Sequence, residues 1–233
     1  MLGAEEVLVD VIFLDIDGVL LPFGGSRDGY SKDKLSFADG CIFPNCTMDA
    51  LTLLLQRIYH IYPKVAPSGK RNGSSEATEI RGNPVLVLSS TWRARPEFIE
   101  DILASFRAHV VEKGLKDTSP HVTWEKHLES FFDITDPNYH ATRYEEIQKW
   151  LRDNENNRQV GKINSQHTDK FILRSWIALD DEDLVNVEGT VSKDATNHAI
   201  QTKSSVGLAN TDVDLGVRLV KRQIEEFHGI LSS

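Results

Sequence analysis

The sequence predicts an α/β fold with a mostly parallel sheet and helices on both faces. Short apolar segments alternate with amphipathic helical segments along the 233 residues, as strands and crossover helices do in a parallel sheet. Polar residues directly follow three of the apolar segments, which is typical of the ligand-binding edge of such a sheet. The chain length suits one large α/β domain.

Composition narrows the classes of function. The formal net charge of −9 disfavours an extended nucleic-acid or anionic membrane surface, although a local basic pocket is compatible with it. The two cysteines, Cys41 and Cys46, are too few for a disulfide framework and are assigned structural roles in a reducing compartment. No apolar run reaches membrane-spanning length, and the start lacks the basic character of a secretory signal. We therefore expect a soluble protein of the cytoplasm or another intracellular compartment.

The most informative segment covers residues 11–20. Its apolar, β-branched residues predict a strand that is buried on both faces and that ends in Asp15 and Asp17. Buried carboxylates are costly unless a cation or backbone amides compensate them. Gly18 permits a sharp turn, so that the strand end can face a crevice. The segment predicts a binding site, in preference to a simple capping turn.

The first half of the chain supplies a second strand and two helices. Residues 21–46 show no sustained period and predict a loop over the two aspartates, after which Thr47 can cap a helix. A strand over 85–88 is closed by Ser89 and Ser90. The next helix has an apolar face: Phe98, Ile99, Ile102, Leu103 and Phe106.

The second half adds a helix over 143–151 and a strand over 171–179. This strand runs into Asp180 and Asp181. The last helix shows the most regular apolar stripe of the chain: Val213, Val217, Val220, Ile224 and Phe227.

We expect one domain over residues 1–233, without a large cap domain. Three polar or irregular segments, 64–84, 109–140 and 153–170, predict surface insertions. The middle segment holds several aromatic residues, so it can contain another strand or form a lid over the site.

The polar residues that follow the strands converge if the sheet is parallel, because the carboxyl ends of parallel strands meet at one edge. Four carboxylates gathered at that edge repel one another unless a cation lies among them. Oxygen ligands without a cysteine or histidine pattern favour Mg²⁺ over zinc. The predicted cluster is Asp15, Asp17, Asp180 and Asp181.

These motifs resemble those of the haloacid dehalogenase (HAD) superfamily. The resemblance rests on the Asp-x-Asp-Gly-Val-Leu segment, on the hydroxyl residues after the second strand, and on an Asp-Asp pair after a later strand. The Leu-Ser-Ser-Thr-Trp-Arg segment and the Arg-x-x-Glu-Ile-x-x-Trp-Leu segment resemble HAD phosphatase domains associated with nucleic-acid repair. The resemblance covers most of the chain outside its insertions and implies a Rossmann-like sheet.

The resemblance also implies a phosphatase mechanism through an aspartyl-phosphate. Asp15 would attack phosphorus, and Asp17 would protonate the leaving oxygen and then activate water. Mg²⁺ would be held by Asp15, by the main-chain carbonyl of Asp17, and by Asp180 directly or together with Asp181.

Further contacts to the phosphate are predicted. Ser89 would donate a hydrogen bond to a phosphoryl oxygen, or Ser90 would do so if the strand ends one residue later. The superfamily also places a basic residue, usually lysine, against the transferred phosphoryl group. A helix that follows the ligand edge begins there, so Arg143 can reach the site, whereas Lys149 lies further along the helix. Arg93 can contact a distal part of the substrate or form a surface ion pair.

Other nearby residues have less specific interpretations. Trp92 is interpreted as a packing residue in preference to a base-stacking platform, and Arg95, like Arg93, can contact a distal part of the substrate or form a surface ion pair. His121 and His127 are interpreted as ordinary surface or core histidines, because no third ligand accompanies them at zinc-site spacing.

The sequence therefore predicts a Mg²⁺-dependent phosphomonoester hydrolase. The absence of an obvious cap favours a macromolecular phosphate, such as a polynucleotide end or a phosphoprotein. One alternative is a small-metabolite or nucleotide phosphatase, which a lid formed by the insertions would favour. The other is a non-catalytic binding module, which would have no chemical need for Asp17.

Overall fold

The computed structural model describes residues 7–23, 35–61, 83–115, 124–136, 141–160, 171–187, 190–191 and 193–231. The strands are β1 (Val7–Leu14), β2 (Pro84–Leu88), β3 (Asp133–Ile134), β4 (Phe171–Asp180), β5 (Asn186–Val187), β6 (Thr190–Val191) and β7 (Ala199–Gln201). The helices are α1 (Asn45–Tyr59), α2 (Pro96–Glu112), α3 (Arg143–Val160), α4 (Lys193–Thr196) and α5 (Asn210–Leu231).

Five strands form one sheet in the order β3-β2-β1-β4-β7, and each neighbouring pair is parallel. Strands β5 and β6, which lie between β4 and β7 in the sequence, form a separate antiparallel pair outside this sheet. The predicted α/β, Rossmann-like fold is confirmed. None of the helices in the described part of the chain is long and apolar enough to cross a membrane.

Both faces of the sheet are covered, which explains why the strands are apolar at nearly every position. Alternate residues of β1, such as Ile12 and Leu14, pack with α1, α2 and α5 in the larger core cluster. The other alternate residues, such as Val11 and Phe13, pack in the smaller cluster with Trp150 of α3. The exception is Asp10.

Asp10 is a buried carboxylate whose charge is fully compensated. Arg174 forms an ion pair with it, and the Ser175 hydroxyl donates to it over 2.7 Å. The backbone N–H of Asn83 donates a further hydrogen bond of 2.9 Å. This group therefore explains how a charge is accommodated inside the sheet, and it supplies no free ligand.

The side of the sheet on which successive strands are added changes at β1. The chain first adds β2 and β3 on one side, then crosses to β4 on the other side, so β1 and β4 are neighbours at the switch point. Crevices at such points, beyond the carboxyl ends of the strands, are where open α/β sheets bind ligands.

Two of the expected insertions are partly regular structure. Helix α2 continues to Glu112, and β3 joins the sheet edge, so the segment 109–140 contains both a helix end and a strand. Helix α3 continues to Val160, through the first part of the segment 153–170. Its sequence there is polar, but each added residue gains a helical hydrogen bond once the preceding turns are formed. Residues 62–82, most of the first expected insertion, lie outside the described residues.

The expected cap of α1 is wrong by three residues. The helix starts at Asn45 with Pro44 before it, and Thr47 lies within the first turn. The Thr47 hydroxyl faces the carbonyl oxygens of Leu20 at 2.8 Å and Pro44 at 3.0 Å. Thr47 therefore attaches the helix to the turn that follows β1.

Candidate active site

Strand register aligns the residues that follow the three central strands. Leu14 pairs with Leu88 on one side and with Leu179 on the other. The Asp15 N–H donates to the Leu179 carbonyl over 3.0 Å, and the Ser89 N–H donates to the Leu14 carbonyl over 2.9 Å. The carboxyl edge of the sheet therefore presents residues from three separate parts of the sequence at one level.

Three carboxylates meet at this edge. Asp15, Asp180 and Asp181 each offer one oxygen, and these oxygens lie within 4.8 Å of one another. The Ser204 hydroxyl donates to Asp181 over 2.8 Å, and the Glu182 N–H donates to Asp180 over 2.9 Å. These contacts fix the orientations of the Asp181 and Asp180 carboxylates.

Burial and mutual repulsion make this cluster unfavourable when all its members are charged. Desolvation raises the pKa of Asp15 to about 6, against the opposing effects of a Ser90 hydrogen bond and the Arg143 guanidinium. Desolvation and then the charge of Asp15 raise the pKa of Asp180 to about 8. A hard divalent cation held by carboxylate oxygens would remove this cost. The residues therefore fit the Mg²⁺ that the fold implies.

The metal-free protein is expected to lose stability as the pH rises from about 4 to about 8. Both aspartates have the ordinary pKa of 3.8 in the unfolded chain, and their pKa values in the folded protein lie higher, so the folded state binds more protons in this window. The unfolding midpoint in urea with EDTA should fall between pH 5 and pH 8, and Mg²⁺ should restore it at the upper pH.

Asp180→Asn is the matched control, because an amide oxygen can still accept from the Glu182 N–H. It should flatten much of the pH dependence that the wild type shows in EDTA. A wild-type midpoint that rises toward pH 8 in EDTA would contradict the raised pKa values.

Arg143 lies at the start of α3 and points toward the acids. Its Nη2 is 3.9 Å from Asp15 Oδ1, and its Nε is 3.4 Å from Asp180 Oδ2. Its side chain is only 11% exposed. Of the two basic residues considered for the phosphate contact, the structure brings Arg143 to the cluster. Lys149 instead pairs with Asp153 and Asp136 on the exposed side of α3.

Glu146 is a site residue that the sequence reasoning did not single out. It lies one turn after Arg143, and its Oε2 accepts from Arg143 Nη1 at 3.0 Å and from Arg93 Nη2 at 2.7 Å. Its spacing of three residues from Arg143 on a predicted helix was the available signal. Arg93 is thus neither on the surface nor free, since its side chain is 4% exposed and also donates to the Ser90 carbonyl.

Ser89 and Ser90 are both buried but differ in their contacts. Ser90 hydrogen-bonds the Asp15 carboxylate, and its hydroxyl accepts from the Trp92 N–H at 3.4 Å. The Ser89 hydroxyl has no hydrogen-bond partner among the described residues. A buried hydroxyl without a partner is costly, so Ser89 has an unused donor for a ligand at this edge.

The Asp17 carboxylate is not one of the three clustered carboxylates in the described residues. It accepts a hydrogen bond of 3.0 Å from the indole N–H of Trp92. Trp92 packs beside Phe98, as expected of a packing residue, and it makes this polar contact in addition.

Gly18 allows the acid-bearing turn to approach Asp181. Its φ is 69°, and an added Cβ would lie 2.5 Å from Asp181 Cγ. We expect Gly18→Ala to reduce stability by about 1 kcal/mol or more through the left-handed backbone alone. Displacement of Asp181 should also raise the Mg²⁺ concentration needed for half-maximal thermal stabilisation.

Gly40→Ala is the control for that effect. Gly40 has a similar φ of 76°, but an added Cβ would meet only Ala108 Cβ at 4.0 Å. It should cost similar stability and leave the Mg²⁺ requirement unchanged. Equal Mg²⁺ requirements for the two variants would show that the Asp181 contact is unimportant.

The remaining residues noted in the sequence lie outside the cluster. Arg95 forms an exposed ion pair with Glu97. His127 is fully buried, as expected of a core histidine. Cys41 is buried and Cys46 is exposed, and neither forms a disulfide. His121 lies outside the described residues.

The parallel sheet, the switch-point crevice and the acids that follow β1 and β4 define a domain of the HAD superfamily. The family model described as the HAD domain in Swiss Army Knife RNA repair proteins matches residues 72–213. Because the match covers more than half of the 233 residues, the chain belongs to this family. The matched region contains Ser89, Arg143 and Asp180, and it begins after Asp15 and Asp17.

No curated protein and no solved structure matches the chain.

Proposed function

We propose that this protein is a Mg²⁺-dependent phosphomonoesterase that forms an aspartyl-phosphate on Asp15. The observation that carries the proposal is the meeting of Asp15, Asp180 and Asp181 within 4.8 Å, with Arg143 directed at the same acids. Anionic and cationic groups side by side suit a site for a phosphate and a divalent cation. Membership of a HAD family supports the same class of reaction.

Asp15, Asp180 and Asp181, with the main-chain carbonyl of Asp17, would hold the ion. Bound Mg²⁺ would neutralise charge between the carboxylates and the phosphoryl oxygens. The Asp15 oxygen attacks phosphorus, and the bond from phosphorus to the leaving oxygen breaks as Asp17 donates a proton to that oxygen. Asp17 then accepts a proton from the water that hydrolyses the aspartyl-phosphate.

The transferred group needs donors on its other oxygens. The Arg143 guanidinium and the Ser89 hydroxyl, which has no hydrogen-bond partner in the described part of the chain, would supply them. Ser90 is already engaged with Asp15, so its role would be to hold the nucleophile in place. Arg93 is engaged with Glu146, so its role would be to hold the residue that contacts Arg143. An arginine fork suits bidentate contact with phosphate.

A phosphate at a polynucleotide end is the substrate we propose, because the matching family is described by RNA repair proteins. The net charge of −9 is consistent with recognition of a terminus and not of a long duplex. A small nucleotide or metabolite phosphate is the alternative, and a substrate panel separates the two.

The test is phosphate release from an aryl phosphate with Mg²⁺ and with EDTA, followed by a panel of substrates. The panel contains 5′- and 3′-phosphorylated oligonucleotides, mononucleotides, phosphosugars and phosphopeptides. Activity that needs Mg²⁺ and the highest kcat/KM on an oligonucleotide end are expected. Activity that EDTA leaves intact would contradict the mechanism. Metal-dependent stabilisation with no turnover on the panel would indicate a binding module.

A further inference from the structure

The contact between Trp92 and Asp17 links an aromatic side chain to the proposed proton donor. The indole Nε1 lies 3.0 Å from Asp17 Oδ2. We infer that Trp92 is a positioning residue for proton transfer, and that it determines which oxygen of Asp17 carries the proton. This inference rests on the proposed function, since it concerns the group that protonates the leaving oxygen.

The chemistry of the indole makes the assignment specific. An indole N–H donates a hydrogen bond and cannot accept one, so the oxygen that it contacts must act as an acceptor. In a protonated carboxyl group the carbonyl oxygen is a better acceptor than the hydroxyl oxygen. The N–H contact therefore favours Oδ2 as the carbonyl oxygen and places the exchangeable proton on Oδ1, the oxygen that the indole does not contact.

The fold holds the indole in this orientation from several sides. Trp92 lies in a short 3-10 helix, Thr91–Ala94, that directly follows the strand end with Ser89 and Ser90. Its ring lies 5.1 Å from Phe98 and 6.5 Å from Phe43, measured between ring centroids. A carboxylate held by a ring that is itself packed loses little further freedom when the substrate binds, which favours catalysis by orientation.

The backbone of the same residue reaches the proposed nucleophile. The Trp92 N–H donates to the Ser90 hydroxyl over 3.4 Å, and Ser90 in turn hydrogen-bonds Asp15. One residue thus contacts Asp17 through its side chain and Asp15 through one intermediate. A side-chain substitution at Trp92 separates these functions, because the backbone contact is retained.

The role in proton transfer predicts a dependence on the leaving group. In the first step the bond from phosphorus to oxygen breaks, its electron pair goes to the leaving oxygen, and the Oδ1 proton follows. A poorly stabilised alkoxide needs that proton, whereas a nitrophenolate leaves without it. Weakened positioning of Asp17 should therefore affect alkyl phosphates far more than nitrophenyl phosphate.

The experiment compares Trp92→Phe with the wild type on aryl and alkyl phosphates of graded leaving-group basicity. Phenylalanine keeps an aromatic ring against Phe98, removes the N–H donor and is smaller than the indole, so a control for lost packing is needed. The readout is kcat/KM, because it reports phosphoryl transfer to Asp15 and excludes the later hydrolysis. We expect a loss of about tenfold to a hundredfold on the alkyl phosphate and less than about threefold on the nitrophenyl ester.

Trp150→Phe is the matched control. Trp150 also donates its indole N–H to a carboxylate, Asp133, over 2.8 Å, but it packs against Phe13 on the other face of the sheet. Trp150→Phe should lower kcat/KM by the same factor for all substrates or leave it unchanged. Inhibition by inorganic phosphate should be the same in wild type and Trp92→Phe, since the proposed phosphate contacts are untouched.

The outcomes are distinct from those of the proposed function. Uniform losses across leaving groups in Trp92→Phe, or a graded loss in Trp150→Phe, would overturn the positioning role while leaving the phosphatase intact. An Asp15→Asn variant with the activity of the wild type would overturn the proposed function itself. A graded loss confined to Trp92→Phe and Asp17→Asn supports the inference.

Discussion

Asp15→Asn is expected to abolish phosphatase activity while leaving the fold intact. An amide cannot form the aspartyl-phosphate, and loss of a nucleophile in enzymes of this kind of chemistry costs about 10⁴-fold or more in kcat. The measurement is phosphate release under Mg²⁺ saturation, with the variant purified at the same yield as the wild type.

The same substitution should not reduce the stability of the metal-free protein and is expected to increase it. The Asp15 charge is one cause of the raised pKa of Asp180, second only to desolvation. Replacing it by a neutral amide removes that repulsion, so the thermal midpoint in EDTA at pH 8 should equal or exceed that of the wild type. A variant that has lost activity but is at least as stable as the wild type cannot be explained by misfolding.

Asp153→Asn is the control for a generic aspartate substitution. Asp153 is exposed on α3 and pairs with Lys149, away from the clustered acids. Its substitution should change neither activity nor the pH dependence of stability. Residual activity of Asp15→Asn above a tenth of wild type would show that another group is the nucleophile.

Arg143→Gln is expected to reduce kcat/KM by about 10³-fold, because the guanidinium is directed at the acids where the transferred phosphoryl group would lie. It should also weaken inhibition by inorganic phosphate, which reports binding without chemistry. Arg143→Lys should recover part of the activity, since a single positive charge remains but the bidentate fork is lost.

Lys149→Gln is the matched control on the same helix. Lys149 is 48% exposed and pairs with two surface acids, so its loss should change kcat/KM by less than about twofold. A large effect of Lys149→Gln together with a silent Arg143→Gln would reverse the assignment of the phosphate contact.

Arg143 also affects stability through the two buried aspartates beside it, Asp15 and Asp180. Without Arg143, Glu146 retains the 2.7 Å ion pair with Arg93, but Asp15 and Asp180 lose the guanidinium that lies 3.9 Å and 3.4 Å from them. The midpoint of Arg143→Gln in EDTA should therefore fall, and Mg²⁺ should recover more of it than in the wild type. This pattern separates lost charge compensation from lost packing.

The sequence alone determined the three central strands, the longer helices that alternate with them, and the convergence of acids at one edge. These follow from local patterns: an apolar strand such as β1, without polar alternation, is typical of a parallel sheet that helices cover on both faces. The aspartates that end it are informative because buried charge needs compensation. The sequence also favoured Arg143 over Lys149 at the ligand edge, because the direction of a helix relative to that edge follows from topology.

Only the tertiary structure decided which side chains contact each other across the sheet. Glu146 accepts from Arg93 across 53 residues of sequence, and the indole of Trp92 reaches Asp17 across 75 residues. Such pairs carry no periodic signal, since their spacing depends on the lengths of the loops and helices between them. Local patterns determine the elements and their ends, whereas contacts between remote side chains depend on how those elements pack.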